Sequence, residues 1–186
     1  MQTTPRERLI RTAIDLARKR GIEGSGIADI LETSGTARRS LYQHFPGGKS
    51  ELFAASTRRA GAWIEKVLHR QAEDRGAADL ISELFEATEA NLVANGYDSG
   101  CPIAAAAVAV PEDAAIREAA AEAFASWTRE IARRLEAEGR SGPDAESLAN
   151  FIVSAIEGAL LQARAARTAD PLEQARRHVG ALVAAR

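Results

Sequence analysis

At 186 residues the chain is long enough to bury one or two ordinary cores without covalent staples. Its single cysteine, Cys101, excludes an internal disulfide and a multi-cysteine zinc site and suits a reducing compartment. A formal charge of −2 conceals an asymmetry: residues 1–60 hold eleven Arg/Lys against six Asp/Glu, and residues 61–186 hold thirteen against twenty. Only the first third is therefore suited to meet a polyanion.

Alanine, leucine, glutamate and arginine predominate over aromatics, which favours helices. The periodicity predicts an all-α fold of about nine helices. Thr4-Pro5 followed by Glu7 is a capping-box signature for a first helix over about 5–20, with Leu9, Ile10, Ala13, Ile14 and Ala17 as its apolar stripe and Gly21 as its stop. Ile27, Ile30 and Leu31, following Ser25-Gly26, predict a short second helix ending near Ser34-Gly35. A third, Ala37 to His44, is expected to bury Ala37, Leu41 and Phe45 and to point Arg39, Ser40 and Gln43 away, with Arg38 and Tyr42 on its flanks. Two short helices joined by a glycine-containing turn make a helix-turn-helix.

After Pro46-Gly47-Gly48 the helical phase runs from Leu52 and Phe53 through Trp63, Val67 and Leu68 to about Asp74. This helix, about 49–74 and roughly 39 Å long, links the helix-turn-helix domain over 1–50 to a larger helical body over 51–186. In the body, Leu80, Phe85 and Leu92 mark a fifth helix closed by Gly96. Pro102 opens a short sixth ending before Pro111, and Ile116 to Leu135 form a seventh ending near Gly139. Pro143 starts an eighth, and Asp170-Pro171-Leu172-Glu173 reads as a capping box opening a ninth. No stretch approaches the ~20 apolar residues of a membrane span, and Arg6, Glu7, Arg8 and Arg11 break the apolar run of a secretory leader. A cytoplasmic protein without a membrane partner is expected.

A helix that enters the major groove needs forked donors or short side chains on its outer face and phosphate-binding groups at its edges. Either Arg38 or Arg39 suits guanine O6 and N7, and Gln43 suits adenine. Ser40 supplies a short side chain, Tyr42 and His44 fit phosphate contacts, and Ser25 joins the set ahead of the second helix. Lys49, just past two glycines at a helix start, combines its charge with exposed N–H groups. Charge runs are usually solvated faces. These charges lie on the second member of a helix-turn-helix in the basic part of an acidic chain, which favours contact with double-stranded DNA.

The stretch Gly21-Ile22-Glu23-Gly24-Ser25-Gly26-Ile27-Ala28-Asp29-Ile30, with Ser34-Gly35 and Ser40-Leu41-Tyr42-Gln43-His44-Phe45, resembles the N-terminal domain of the TetR family of bacterial repressors. Phe45-Pro46-Gly47-Gly48-Lys49 and Gly100-Cys101-Pro102-Ile103-Ala104 are similar to its LmrA/YxaF-like branch. The resemblance implies a nine-helix homodimer whose third helix reads operator DNA through Arg38, Arg39, Ser40, Tyr42, Gln43, His44 and Lys49. Arg39 departs from the glycine or small residue common in the family and adds a candidate base contact.

The apolar faces of the eighth and ninth helices read equally well as core or as interface. The resemblance implies a four-helix dimer bundle, assigning Phe151, Ile152, Ala155, Ile156, Ala159, Leu160, Val179 and Leu182 to it. Trp63, Phe85, Leu92, Phe124 and Trp127 lie at helical spacings that more often mean core. The resemblance implies that a ligand binds among them. Cys101, beside Pro102, reads as a pocket-lining thiol, with an oxidation sensor as the alternative that the lack of a flanking base disfavours. The scarcity of polar residues there suggests a planar, weakly polar, hydrophobic inducer. A ligand-independent DNA-binding protein and an activator are the alternatives. Enzymatic chemistry is disfavoured: His44, His69 and His178 are scattered over separate helices, and no nucleophile stands beside a base. No cofactor or metal is expected.

Overall fold

A computed structural model describes residues 3–70, 76–109 and 113–185, with side chains left out at 67–70. Nine helices lie among the described residues: α1 (Pro5–Arg20), α2 (Ile27–Ser34), α3 (Arg38–His44), α4 (Gly48–Arg70), α5 (Ala77–Ala94), α6 (Pro102–Ala107), α7 (Ala114–Ala137), α8 (Gly142–Ala166) and α9 (Asp170–Ala184). The expected end of the fourth helix near Asp74, and the side chains of Val67 and Leu68, fall outside the described residues. Among the described residues no helix is long and apolar enough to cross a membrane, and no cluster of His, Cys, Asp or Glu is arranged to hold a metal ion.

The chain packs as two compact units that interleave in sequence. The first comprises residues 1–62 with 101–123, and the second comprises 63–100 with 124–186. The first unit therefore holds α1, α2, α3, the first part of α4, all of α6 and the start of α7. The expected boundary at residue 50 lies inside it.

Local chemistry explains the elements of the first unit. Thr4 Oγ1 accepts from Glu7 N at 3.2 Å and Thr4 N donates to Glu7 Oε2 at 3.0 Å, the reciprocal pair that starts α1. Backbone and side-chain hydrogen bonds from Thr4, then the charges of Arg59 and Arg11, hold the exposed Glu7 carboxyl below its usual range. Its contribution to stability is therefore present above the ordinary carboxylate pKa and fades as pH falls through the lowered value. The melting-temperature gap between the native chain and Glu7→Gln is expected to be widest at neutral pH and to close on acidification.

Gly35 ends α2 in the left-handed region (φ 60°, ψ 34°), and Thr36 N returns to Leu31 O at 3.1 Å, so α3 can leave at a sharp angle. Arg8 Nε donates to Ser34 O at 3.2 Å, tying α1 to the end of α2. Leu9, Ala13, Ile30, Leu41, Phe45, Leu52 and Phe53 are buried and form the core beneath the turn. Ala37 departs from expectation: it is exposed, because it serves as the N-cap of α3 rather than as a residue of its inner face.

Still within the first unit, α4 meets α7 closely at Gly61. A Cβ built there would lie 2.7 Å from Ala123 Cβ, so only glycine fits. Gly61→Ala is expected to destabilise the fold by about 1–3 kcal/mol. Ala123→Gly in the same chain should recover much of that loss in a thermal melt.

In the second unit, Leu80, Ile81, Phe85, Leu92, Ile131, Leu135, Ile152, Leu172 and Val179 are buried. Arg140, after α7, donates to Leu182 O at 2.7 Å, to Val183 O at 3.2 Å and to Ala185 O, and pairs with Asp144 at 2.9 Å. It thus satisfies carbonyls that the end of α9 would otherwise leave open. The ninth helix opens differently from expectation. Its N-cap is Ala169, with no side-chain cap, and Asp170 is already helical, its N–H donating to Thr168 Oγ1 at 3.4 Å. Asp170 and Glu173 therefore act as acidic first-turn residues rather than as a reciprocal box.

Candidate nucleic-acid interface

Burial defines which side of α3 is free. Leu41 and Phe45 are 0% and 1% exposed, four residues apart on the inner face. The opposite side carries Arg39 and Gln43, also four apart. Arg38 and Tyr42 form one flank, and Ser40 and His44 the other. Arg38, Arg39, Tyr42, Gln43 and His44 are exposed, while Ser40 is half-buried. This geometry suits a recognition element, because Arg39 and Gln43, one forked and one paired hydrogen-bonding group, stand at the centre of the free face.

Three other basic residues of the head are engaged elsewhere. Arg6 lies over the Phe45 ring at 5.4 Å, Arg8 bonds to Ser34 O, and Arg58 pairs with Glu122 at 3.4 Å. The Lys49 ammonium sits 5.9 Å from the Phe53 ring centroid, folded along α4. The Gly47 N–H beside it is already taken by Glu51 Oε2 at 2.8 Å. Lys49 nonetheless stands next to α3: a Cβ at Gly48 (φ +68°) would lie 3.5 Å from Tyr42 Cε1, so the end of α3 and the start of α4 share one surface. Ser25 does not belong to that surface. It is fully buried and its hydroxyl donates to Gly21 O at 2.6 Å.

The residues assigned to a ligand pocket differ in burial. Phe85 and Leu92 are buried on α5, and Trp127 is buried on α7 edge-to-face with the half-buried Phe124, centroids 5.4 Å apart at 87°. Phe124 also borders an open groove of about 730 Å³ between α7 and α8, lined by Thr128, Arg129, Arg133 and Asn150. Thr128 Oγ1 lies 3.3 Å from Asn150 Oδ1 there, a polar pair that apolar periodicity does not reveal. Trp63 is 55% exposed on α4, and Cys101 belongs to the first unit whereas the aromatics belong to the second.

The eight residues assigned to a dimer face also divide. Ile152, Ala159, Leu160 and Val179 are buried within the protomer, whereas Ala155 and Ile156 are half-buried and Phe151 and Leu182 are exposed. Leu161, 69% exposed, was not in the predicted set. With Phe151, Ala155 and Gly158 it follows a three-to-four-residue spacing along one outward stripe of α8.

Comparison with known proteins identifies the family. Residues 9–56 match the profile described as bacterial regulatory proteins, tetR family, and residues 77–178 match transcriptional regulator LmrA/YxaF-like, C-terminal domain. An uncharacterized HTH-type transcriptional regulator of Mycobacterium tuberculosis is 33% identical over 97% of this chain and 95% of its own. A TetR transcriptional regulator from Legionella pneumophila has a similar structure, with TM-score 0.84 and 25% identity over 96% of each chain. A cysteine mutant of the TetR family regulator CifR, complexed with 26-bp double-strand operator DNA, shares the fold at TM-score 0.76 and 24% identity, covering 97% of each chain.

Proposed function

Because the chain belongs to the TetR family of bacterial regulatory proteins and carries an LmrA/YxaF-like C-terminal domain, we propose that it is a dimeric operator-binding repressor released from DNA by a small hydrophobic ligand. The observation that carries the DNA-binding part is the outer face of α3, where Arg39 and Gln43 stand free while Leu41 and Phe45 anchor the helix in the core. Arg38, Tyr42, Ser40, His44 and Lys49 flank that centre and serve as phosphate or secondary contacts. Ser25 contributes to the fold of the turn instead. Operator binding gives the protein a cytoplasmic place of work.

One seven-residue helix contacts too few base pairs for high specificity, whereas a two-fold dimer reads half-sites about 34–36 Å apart or a multiple of that. The outward stripe of α8, Phe151, Ala155, Gly158 and Leu161, together with Leu182 of α9, is the apolar surface this pairing uses. The inducer is assigned to the body of the second unit, where Phe85, Leu92, Phe124 and Trp127 supply aromatic and aliphatic surface. It acts as an inducer only by binding the DNA-incompetent state more tightly, and bound operator must reciprocally weaken it.

Selection of binding sites from random duplexes tests the reading directly. Enrichment of a palindrome with two half-sites is expected, and absence of any enriched duplex would overturn it. A thermal-shift screen with planar hydrophobic compounds, followed by mobility shift on the selected duplex, tests release. Stabilisation without release leaves only a binding module, and an enriched site that raises transcription from a reporter identifies an activator.

A further inference from the structure

The start of α4 is held from a distant part of the chain. Ser50 Oγ donates to Asp113 Oδ1 at 2.8 Å, and the same carboxylate oxygen accepts from Ile116 N at 3.4 Å, so Asp113 caps the N-terminus of α7 while gripping the first turn of α4. Arg58 with Glu122 and Gly61 with Ala123 continue the same seam, the paired positions advancing together along both helices. Lys49, Ser50 and Asp113 line one groove with Ile22, Glu23 and Ile116. Every one of these residues lies in the first compact unit, which therefore includes the opening of α7 as well as the helix-turn-helix.

We propose that Asp113 is a positioning residue for DNA binding: its hydrogen bond to Ser50 sets the first turn of α4 so that Lys49 and Tyr42 meet phosphate when Arg39 and Gln43 meet bases. The inference rests on the reading of α3 and α4 as the operator-binding surface. Asp113 touches no DNA in this account. It acts through Ser50, whose neighbour Lys49 carries the charge. The contact also gives the N-terminus of α7 a direct mechanical connection to the operator surface: a shift of that N-terminus relative to α4 breaks a 2.8 Å hydrogen bond at the edge of the reading face.

The test uses the full-length protein and a duplex obtained by the selection described above. Ser50→Ala, Asp113→Ala and the double variant are titrated by fluorescence anisotropy across a range of salt concentrations, with thermal melts alongside. Each single variant is expected to weaken binding about threefold to tenfold, the worth of one hydrogen bond. The salt slope should flatten by about one as a phosphate contact is lost, and the double variant should be no weaker than the poorer single one. Asp113→Asn, which keeps an oxygen acceptor and an N-cap, should restore most of the affinity. Unchanged affinity in both singles overturns the proposal. So does a loss that is additive, leaves the salt slope intact and tracks the melting temperature, since a general loss of stability explains that pattern. If the native chain selects no duplex, the underlying DNA-binding reading fails instead.

Discussion

Arg39→Ala is expected to weaken operator binding by about 1–3 kcal/mol and to relax preference at a single base pair of each half-site. The expectation follows from position. Arg39 lies opposite the buried Leu41 and Phe45 on a helix of only seven residues, so its guanidinium faces whatever groove the helix enters. Removing a forked donor leaves guanine O6 and N7 unpaired, and that cost falls on one base pair. Arg38→Ala on the flank is expected to produce a smaller loss spread over all sequences, with a shallower salt slope. Competition titrations against a panel of single-base operator variants separate the two outcomes. If Arg39→Ala loses affinity equally on every duplex, Arg39 is a phosphate contact and Gln43 becomes the remaining reader at the centre of the face.

The head was legible because its signals are local. A capping box three residues wide, a left-handed glycine at 35 and a three-to-four-residue apolar spacing each act within one or two turns, and α1 and α2 begin and end where those signals stand. What escaped depends on which way a side chain turns or on distance along the chain. Ser25 has the composition of a surface turn, yet its hydroxyl turns inward to Gly21 O. Nothing near Ser50 announces Asp113, sixty-three positions away. The interleaved division of the chain is invisible for the same reason, since α6 joins the first unit through packing against α1 rather than through neighbours in sequence. In the body, periodicity identified the apolar positions of α8 and α9 without separating inner from outer, because both helices carry apolar side chains on exposed as well as buried sides, Phe151, Leu161 and Leu182 beside Ile152, Leu160 and Val179. Ile152 and Phe151 are adjacent and equally apolar. Only their exposures, 0% and 51%, distinguish core from surface.

That distinction makes the second large effect predictable. Phe151→Asp places a charge on the outward stripe of α8, where Phe151 and Leu161 are 51% and 69% exposed and a Cβ at Gly158 would meet nothing. The folded protomer loses little, because an exposed aromatic contributes little to its core. A two-fold interface buries the new charge twice, once on each side of the axis, and an unpaired charge there is strongly disfavoured. Sedimentation at about micromolar concentration is therefore expected to show a dimer for the native chain and a monomer for Phe151→Asp, with operator affinity falling by more than about tenfold because two linked heads become one. Leu182→Asp on α9 should behave alike. Ile152→Ala, one residue away but fully buried, should do the reverse: it lowers stability by about 2–5 kcal/mol and leaves the native protein dimeric. A native chain that sediments as a monomer, or a Phe151→Asp variant that remains a dimer, removes the outward stripe of α8 from the pairing surface and with it the reason these hydrophobic side chains stand exposed.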